Sequence, residues 1–197
     1  MICLVYVGTL AKISPVNYIL EQFLSISISE DPNILRRTNS TYYPVTLDLS
    51  PSANRSRILS YFGASTVSAL EGPDPIVYDN HHFSLTTLSF NENPRLTGFF
   101  NLLATALDRE DIEYVSLLES KQYPITASQF HPEKNVFDTG SDENIPRTPN
   151  SALVAQVVLD QAFMVMMLIR VLLKKCLYFF CDIFSFLLFF LISLLSQ

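Results

Sequence analysis

The sequence predicts an α/β fold, a sheet-and-helix domain followed by an apolar C-terminal helix. Short alternating stretches such as VTLDLS, 45–50, read as strands. They are mixed with stretches of helical spacing such as SALVAQVVLDQAF, 151–163, though not in a clean strand–helix–strand series. A length of 197 residues is enough for one domain with a real core.

Residues 1–22 form an atypical apolar segment, interrupted at Ser14-Pro15 and without a recognisable cap. The stretch 21–31, EQFLSISISED, fits either a helix or an alternating strand. DPNILRRTNSTYYP, 31–44, is rich in Pro, Asn, Ser and Thr and reads as a loop. After the strand at 45–50, residues 54–62 have short helical spacing, and 65–83 end in a loop carrying His81 and His82. FSLTTLSFN, 83–91, reads as a strand, and NPRLTGFFNLLATALD, 93–108, as a helix. IEYVSLLES, 112–120, and YPITASQF, 123–130, are two more strands. A polar loop with several prolines follows over 130–151, then an amphipathic helix over 151–163 that Ser151 is suited to cap.

The tail 164–197 is almost wholly apolar, and 176–195 is about as long as the roughly 20 residues that a membrane-spanning helix requires. Three readings stay open for it: a membrane anchor, a buried helix, or sequence that is not a natural protein end. As an anchor behind Lys174-Lys175, it would leave residues 1–170 in the cytosol by the positive-inside tendency. Two sequons, Asn39-Ser40-Thr41 and Asn54-Arg55-Ser56, are glycosylation candidates if the chain enters the secretory path.

Several function classes are disfavoured. A net charge of −6, with no basic run before residue 170, argues against nucleic acid as a partner. Glycine occurs only 5 times and no phosphate-cradling motif is present. Cys3, Cys176 and Cys181 form neither a CxxC pair nor a disulfide framework, so no metal site and no cofactor is expected.

The stretch SQFHPEK, 128–134, carries the chemistry. A strand ending at Phe130 delivers His131 to a sheet edge, and Pro132 turns the backbone. Glu133 can then fold back onto one ring nitrogen, fixing the tautomer and leaving the other nitrogen free as a base. Spacing alone leaves the alternative of a loop histidine beside a solvated glutamate.

The flanking residues add to this. YPITASQFHPEKNVFD, 123–138, resembles the segment that closes class I glutamine-amidotransferase-like domains, and HPEK followed by an aromatic is similar to the γ-glutamyl hydrolases. NHHFSL at 80–85, FNENPRLTGFFNLLAT at 90–105, IEYVSLLESKQYPI at 112–125 and ISEDPNIL at 28–35 resemble further segments of that family, so the likeness covers about residues 23–163. The resemblance implies a partial domain of that type around a mostly parallel sheet. It implies cysteine-type hydrolysis of γ-glutamyl bonds, notably in folate poly-γ-glutamates, in a lysosome, a vacuole or outside the cell. It leaves room for a homodimer. By the same resemblance His131 is the catalytic histidine, Glu133 its orienter and His81 the substrate-loop histidine, with His82 its neighbour if the register slips by one.

The family's nucleophile elbow, Gly-x-Cys-x-Gly-Phe, has no clear counterpart. Its cysteine would fall near Tyr18, where the sequence reads PVNYILEQF. Cys3 is the other candidate nucleophile, without flanking glycines. The family's first strands and an oxyanion-hole N–H would also be missing, and residues 4–22 look like foreign sequence joined to a genuine later half. Two functional expectations therefore stand side by side. One is a γ-glutamyl hydrolase; the other is an inactive, membrane-tethered remnant that keeps a γ-glutamyl pocket. A membrane-anchored interaction protein is the third.

Overall fold

The computed structural model describes residues 20–138 and 144–161. Its first element, helix α1 (Leu20–Ser29), settles the helix-or-strand ambiguity at 21–31 in favour of helix. Strand β1 (Arg36–Val45) comes next, where a loop was expected. Its Asn, Ser, Thr and Pro content is tolerated because β1 pairs antiparallel with β3 (Val77–Ser84) through two register shifts. Tyr42, at φ 50°, lies at the second of these irregularities. Cross-strand pairing has overridden local propensity here.

The expected strand at 45–50 is divided between the end of β1 and the two-residue strand β2 (Asp48–Leu49). Two short 3₁₀ turns, Pro51–Arg55 and Leu59–Tyr61, replace the expected helix at 54–62. Helix α2 (Ala64–Leu70) follows, and then β3, which carries His81 and His82 on a strand rather than in a loop.

The region 83–108 differs most from expectation. Residues 87–92 form helix α3 (Thr87–Glu92), because the Thr86 side chain caps it by accepting from the Ser89 N–H. Helix α4 (Pro94–Phe99) follows, with Pro at its start and the Asn93 carboxamide accepting from two N–H groups. Strand β4 (Phe100–Leu107) begins directly after it, so the expected helix at 93–108 is helix for its first half only. FNLLATAL, largely buried in mid-sheet, reads equally well in either period.

Strand β5 (Glu113–Ser120) is as expected, and only Thr126–Ser128 of the second expected strand pairs, as β6. Helix α5 (Pro132–Phe137) lies inside the stretch read as a loop, because Pro132 pre-sets the first turn. A last helix covers 149–161 within the described residues.

The strands form two sheets, β1-β3 and β2-β4-β5-β6, and every described pairing is antiparallel. Hairpin-scale connections join β4 to β5 and β5 to β6, which suits antiparallel pairing, whereas β1-β3 and β2-β4 are joined over longer stretches. The mostly parallel sheet implied by the resemblance is not found among the described residues. β5 is central and two-sided. Tyr114 and Leu117 enter one apolar cluster with Leu103, Phe130 and Val154, while Val115 and Leu118 enter the other with Leu85, Phe90 and Phe100. The two sheets meet where Val115 N–H donates to Leu85 C=O at 2.8 Å.

The expected membrane helix 176–195 and the segment 1–19 lie outside the described residues. Among the described residues no helix is long and apolar enough to cross a membrane.

Candidate active site

β6 ends at Ser128, and two residues later the chain reaches His131 at the head of α5. Pro132 begins the helix, and the first turn brings Glu133 back over His131. Glu133 Oε1 lies 2.7 Å from His131 Nδ1. A carboxylate on Nδ1 fixes that nitrogen as the donor and leaves Nε2 as the acceptor. His131 Nε2 is buried and makes no hydrogen bond in the free protein.

The position of His131 is pinned through its backbone. Its N–H donates to Tyr78 C=O of β3 at 2.8 Å. Asn135 of α5 donates to Ile76 C=O at 3.3 Å and to Pro146 C=O at 2.8 Å, tying the helix to the start of β3.

β3 supplies the second ring. His81 stacks on His131 with ring centroids 4.7 Å apart and planes 17° from parallel. Strand alternation turns His81 inward, 4% exposed, and leaves His82 outward and exposed. The structure therefore brings His131, Glu133 and His81 together and leaves His82 out. His81 Nε2 is also buried without a hydrogen-bond partner. Burial pushes the His81 imidazole down to about 3, and the His131 charge acts in the same direction. A neutral His81 accordingly packs against His131.

Two buried acids that sequence reading passed over, Asp79 and Glu21, act on each other, and Asp79 also feels the His131 charge. Asp79 and Tyr114 are both fully buried, and the Tyr114 hydroxyl donates to Asp79 Oδ2 in a very short hydrogen bond. Burial pushes the Asp79 carboxyl up to about 7, while the Tyr114 hydrogen bond and the His131 charge pull the other way. On α1, burial pushes Glu21 up to about 8, opposed by the Ser25 hydroxyl, which donates to Oε1 at 2.9 Å, and reinforced by the charge of Asp79. Gln129 was also missed as an individual residue. Fully buried, it donates through Nε2 to Phe83 C=O at 3.2 Å and to Ser84 Oγ at 3.1 Å, clamping the residue after β6 to the end of β3. The one available signal was polar residues inside otherwise apolar strands, as in IVYDNHHF, 76–83.

The remaining candidates lie apart. Cys3 is outside the described residues, as is Tyr18, and Cys176 and Cys181 are too. Asn39 is exposed on β1, where its side chain donates to Glu110, and Asn54 is exposed on a 3₁₀ turn. A surface depression lined by Leu49, Pro51, Asn54, Leu59 and Glu71 contains neither histidine. Among the described residues no group of three or more His, Cys, Asp or Glu side chains is placed to hold a metal ion.

No family model matches the chain. Curated relatives do. The chain is 37% identical over 136 residues to "Probable gamma-glutamyl hydrolase 3" of Arabidopsis thaliana, a match covering 68% of this chain and 38% of the relative. It is 35% identical over 137 residues to "Gamma-glutamyl hydrolase B" of Dictyostelium discoideum, covering 70% of this chain and 39% of the relative. It is 31% identical over 128 residues to "Gamma-glutamyl hydrolase" of Mus musculus, covering 65% and 39%. The matches span about two-fifths of the length of these relatives. With the His131–Glu133 pair in place, the chain is similar to the γ-glutamyl hydrolase family over about two-thirds of its own length, as a partial match to its members.

Proposed function

We propose that this chain carries the histidine side of a γ-glutamyl hydrolase site and acts on γ-glutamyl bonds, with folate poly-γ-glutamates as the substrate class. The observation that carries this is Glu133 Oε1 at 2.7 Å from Nδ1 of a buried His131 whose Nε2 has no hydrogen-bond partner. In this reading Nε2 takes the thiol proton of the nucleophile. The thiolate attacks the γ-carbonyl carbon, and the proton is returned to the leaving amine as the amide bond breaks. Water then hydrolyses the thioester, with Nε2 as base. His81 meets the substrate, and Cys3 is the candidate nucleophile. The α/β domain is then the later part of a class I glutamine-amidotransferase-like fold, working in a lysosome, a vacuole or outside the cell.

A second reading is favoured by one observation: no cysteine lies between Cys3 and Cys176. The described domain then binds a γ-glutamyl group without cleaving it. Hydrolysis of a fluorogenic γ-glutamyl peptide by the full chain, beside Cys3→Ala and His131→Ala, separates the two. Turnover in the parent, lost in both variants, is expected from the enzyme. Turnover that survives Cys3→Ala removes Cys3 from the mechanism. A parent chain that binds the peptide by calorimetry without turnover leaves the binding reading.

A further inference from the structure

His131 has two acids near it, and only one of them was legible as a partner. Glu133 approaches Nδ1 from α5. Asp79 approaches from β3, one residue beyond Tyr78, whose carbonyl holds the His131 N–H. β3 is regular here, since the register shifts of the β1-β3 pair fall between residues of β1, so Asp79 and His81 point to the same face of the strand. Asp79 Oδ2 is taken by the Tyr114 hydroxyl from β5, while Oδ1 is buried and has no hydrogen-bond partner. A fully buried carboxyl with one oxygen unsatisfied is costly unless a charge answers it. The charge that acts on it favourably is that of His131.

We propose that Asp79, fixed by the Tyr114 hydroxyl, is a positioning residue for His131: a second acid that stabilises the charged imidazole from β3 while Glu133 orients it from α5. This rests on the reading of His131 as the acid–base residue of the site.

The surroundings make the device responsive to pH. Glu21 faces Asp79 from α1 and repels its charge, Tyr114 supports that charge from β5, and Tyr43 lies opposite in the β1 register. His81 and Glu133 are the remaining ionisable neighbours of His131, and the Lys134 charge also reaches His81. With its carboxyl raised to about 7, Asp79 is half-charged near neutrality. Its support for the imidazolium is therefore present above that pH and fades below it. Two groups coupled in this way titrate as a pair.

The test is a histidine and carboxyl titration of the full chain by nuclear magnetic resonance, which needs no substrate or turnover. In the parent, the Asp79 carboxyl carbon and the His131 ring nitrogens are expected to respond to each other's ionisation. In Asp79→Asn, the His131 midpoint is expected about one pH unit lower, the size ordinarily associated with losing a nearby opposite charge. Tyr114→Phe is expected to move it the same way by less, because a carboxyl without its donor ionises later. Asp79→Glu, which keeps the charge, is expected to restore part of the shift. A His131 midpoint unchanged in both Asp79→Asn and Tyr114→Phe overturns the proposal. If Asp79→Asn does not fold, the parent and Tyr114→Phe decide: independent titrations in the parent, with no shift in Tyr114→Phe, overturn it. A failed hydrolysis assay with a coupled titration removes the catalytic reading and leaves this electrostatic link standing.

Discussion

The imidazole of His81 lies against that of His131 at 4.7 Å, almost parallel, with both Nε2 atoms buried and unpartnered. Two cationic rings at that distance repel strongly in a low-dielectric setting, so the stack requires at least one to stay neutral. Burial assigns that role to His81, whose ionisation is pushed down to about 3. Glu133 holds Nδ1 of the other ring, and the charge of His131 acts on Asp79.

Substitution at the His131–Glu133 pair should therefore separate charge from shape. For a parent chain that turns over a γ-glutamyl peptide, His131→Ala is expected to lower kcat/KM by at least about 100-fold. Glu133→Gln keeps the shape but removes the charge that orients Nδ1, and a loss of about 10-fold or more is expected. Parent-like kcat/KM in Glu133→Gln would remove its orienting role.

The two neighbouring histidines should behave differently. His81→Ala is expected to weaken γ-glutamyl peptide binding several-fold by calorimetry, because it removes a buried ring from the site. His82→Ala is expected to leave binding unchanged, since His82 faces solvent. The reverse pattern would mean that His82 is the substrate contact.

Stability should depend on pH with a sign fixed by the three perturbed groups. Glu21 and Asp79 are raised from 4.5 and 3.8 to about 8 and about 7, so the folded state holds their protons longer. Their contribution is complete below the unfolded values and is lost as pH rises through about 7 to 8. His81 is lowered from 6.5 to about 3, so its contribution is present above 6.5 and lost as pH falls towards 3. Asp79 cancels the His81 slope above 3.8 and Glu21 tips the sum to a fall above 4.5, which places maximum stability near about pH 4. Each fully engaged group changes stability by about 1.4 kcal/mol per pH unit. Tm measured from pH 3 to 9 is expected to be highest near about pH 4, to fall between about 4.5 and 8 and to level off above that; in Glu21→Gln the fall should be shallower. A Tm that climbs steadily to pH 8 would contradict the buried-acid account.

Glu119 offers a structural test remote from the histidines. It is 3% exposed on β5 and accepts the N–H groups of Arg57 at 3.1 Å and Ile58 at 3.0 Å, holding the chain between the two 3₁₀ turns. Glu119→Ala strands these donors beside the core, and a loss of about 2–3 kcal/mol is expected in urea denaturation. A loss below about 0.5 kcal/mol would show that water replaces the carboxylate freely.

The sequence was most legible where one period dominated. IEYVSLLES gave β5, and SALVAQVVLDQAF gave the last helix to within two residues at its described start. The pairing of His131 with Glu133 was legible because Pro132 permits one short turn, which brings residues two apart together. The errors cluster where long-range pairing overrode composition. β1 looks like a loop until β3 pairs with it, and β4 looks like a helix until β5 does. Asp79 was invisible for a related reason: its importance comes from Tyr114 and His131, 35 and 52 positions away.

His81 belongs to the two-stranded sheet, whereas His131 follows the last strand of the four-stranded one. The ring stack is therefore a seam, and neither sheet alone contains it. A chain that has formed only one of them, in a nascent or damaged state, presents no paired imidazoles and no shielded Nε2. Competence at this seam consequently serves as its own certificate of assembly. The ring-current signature of the stacked histidines should be absent from every partly folded species and appear in the step that brings the two sheets together.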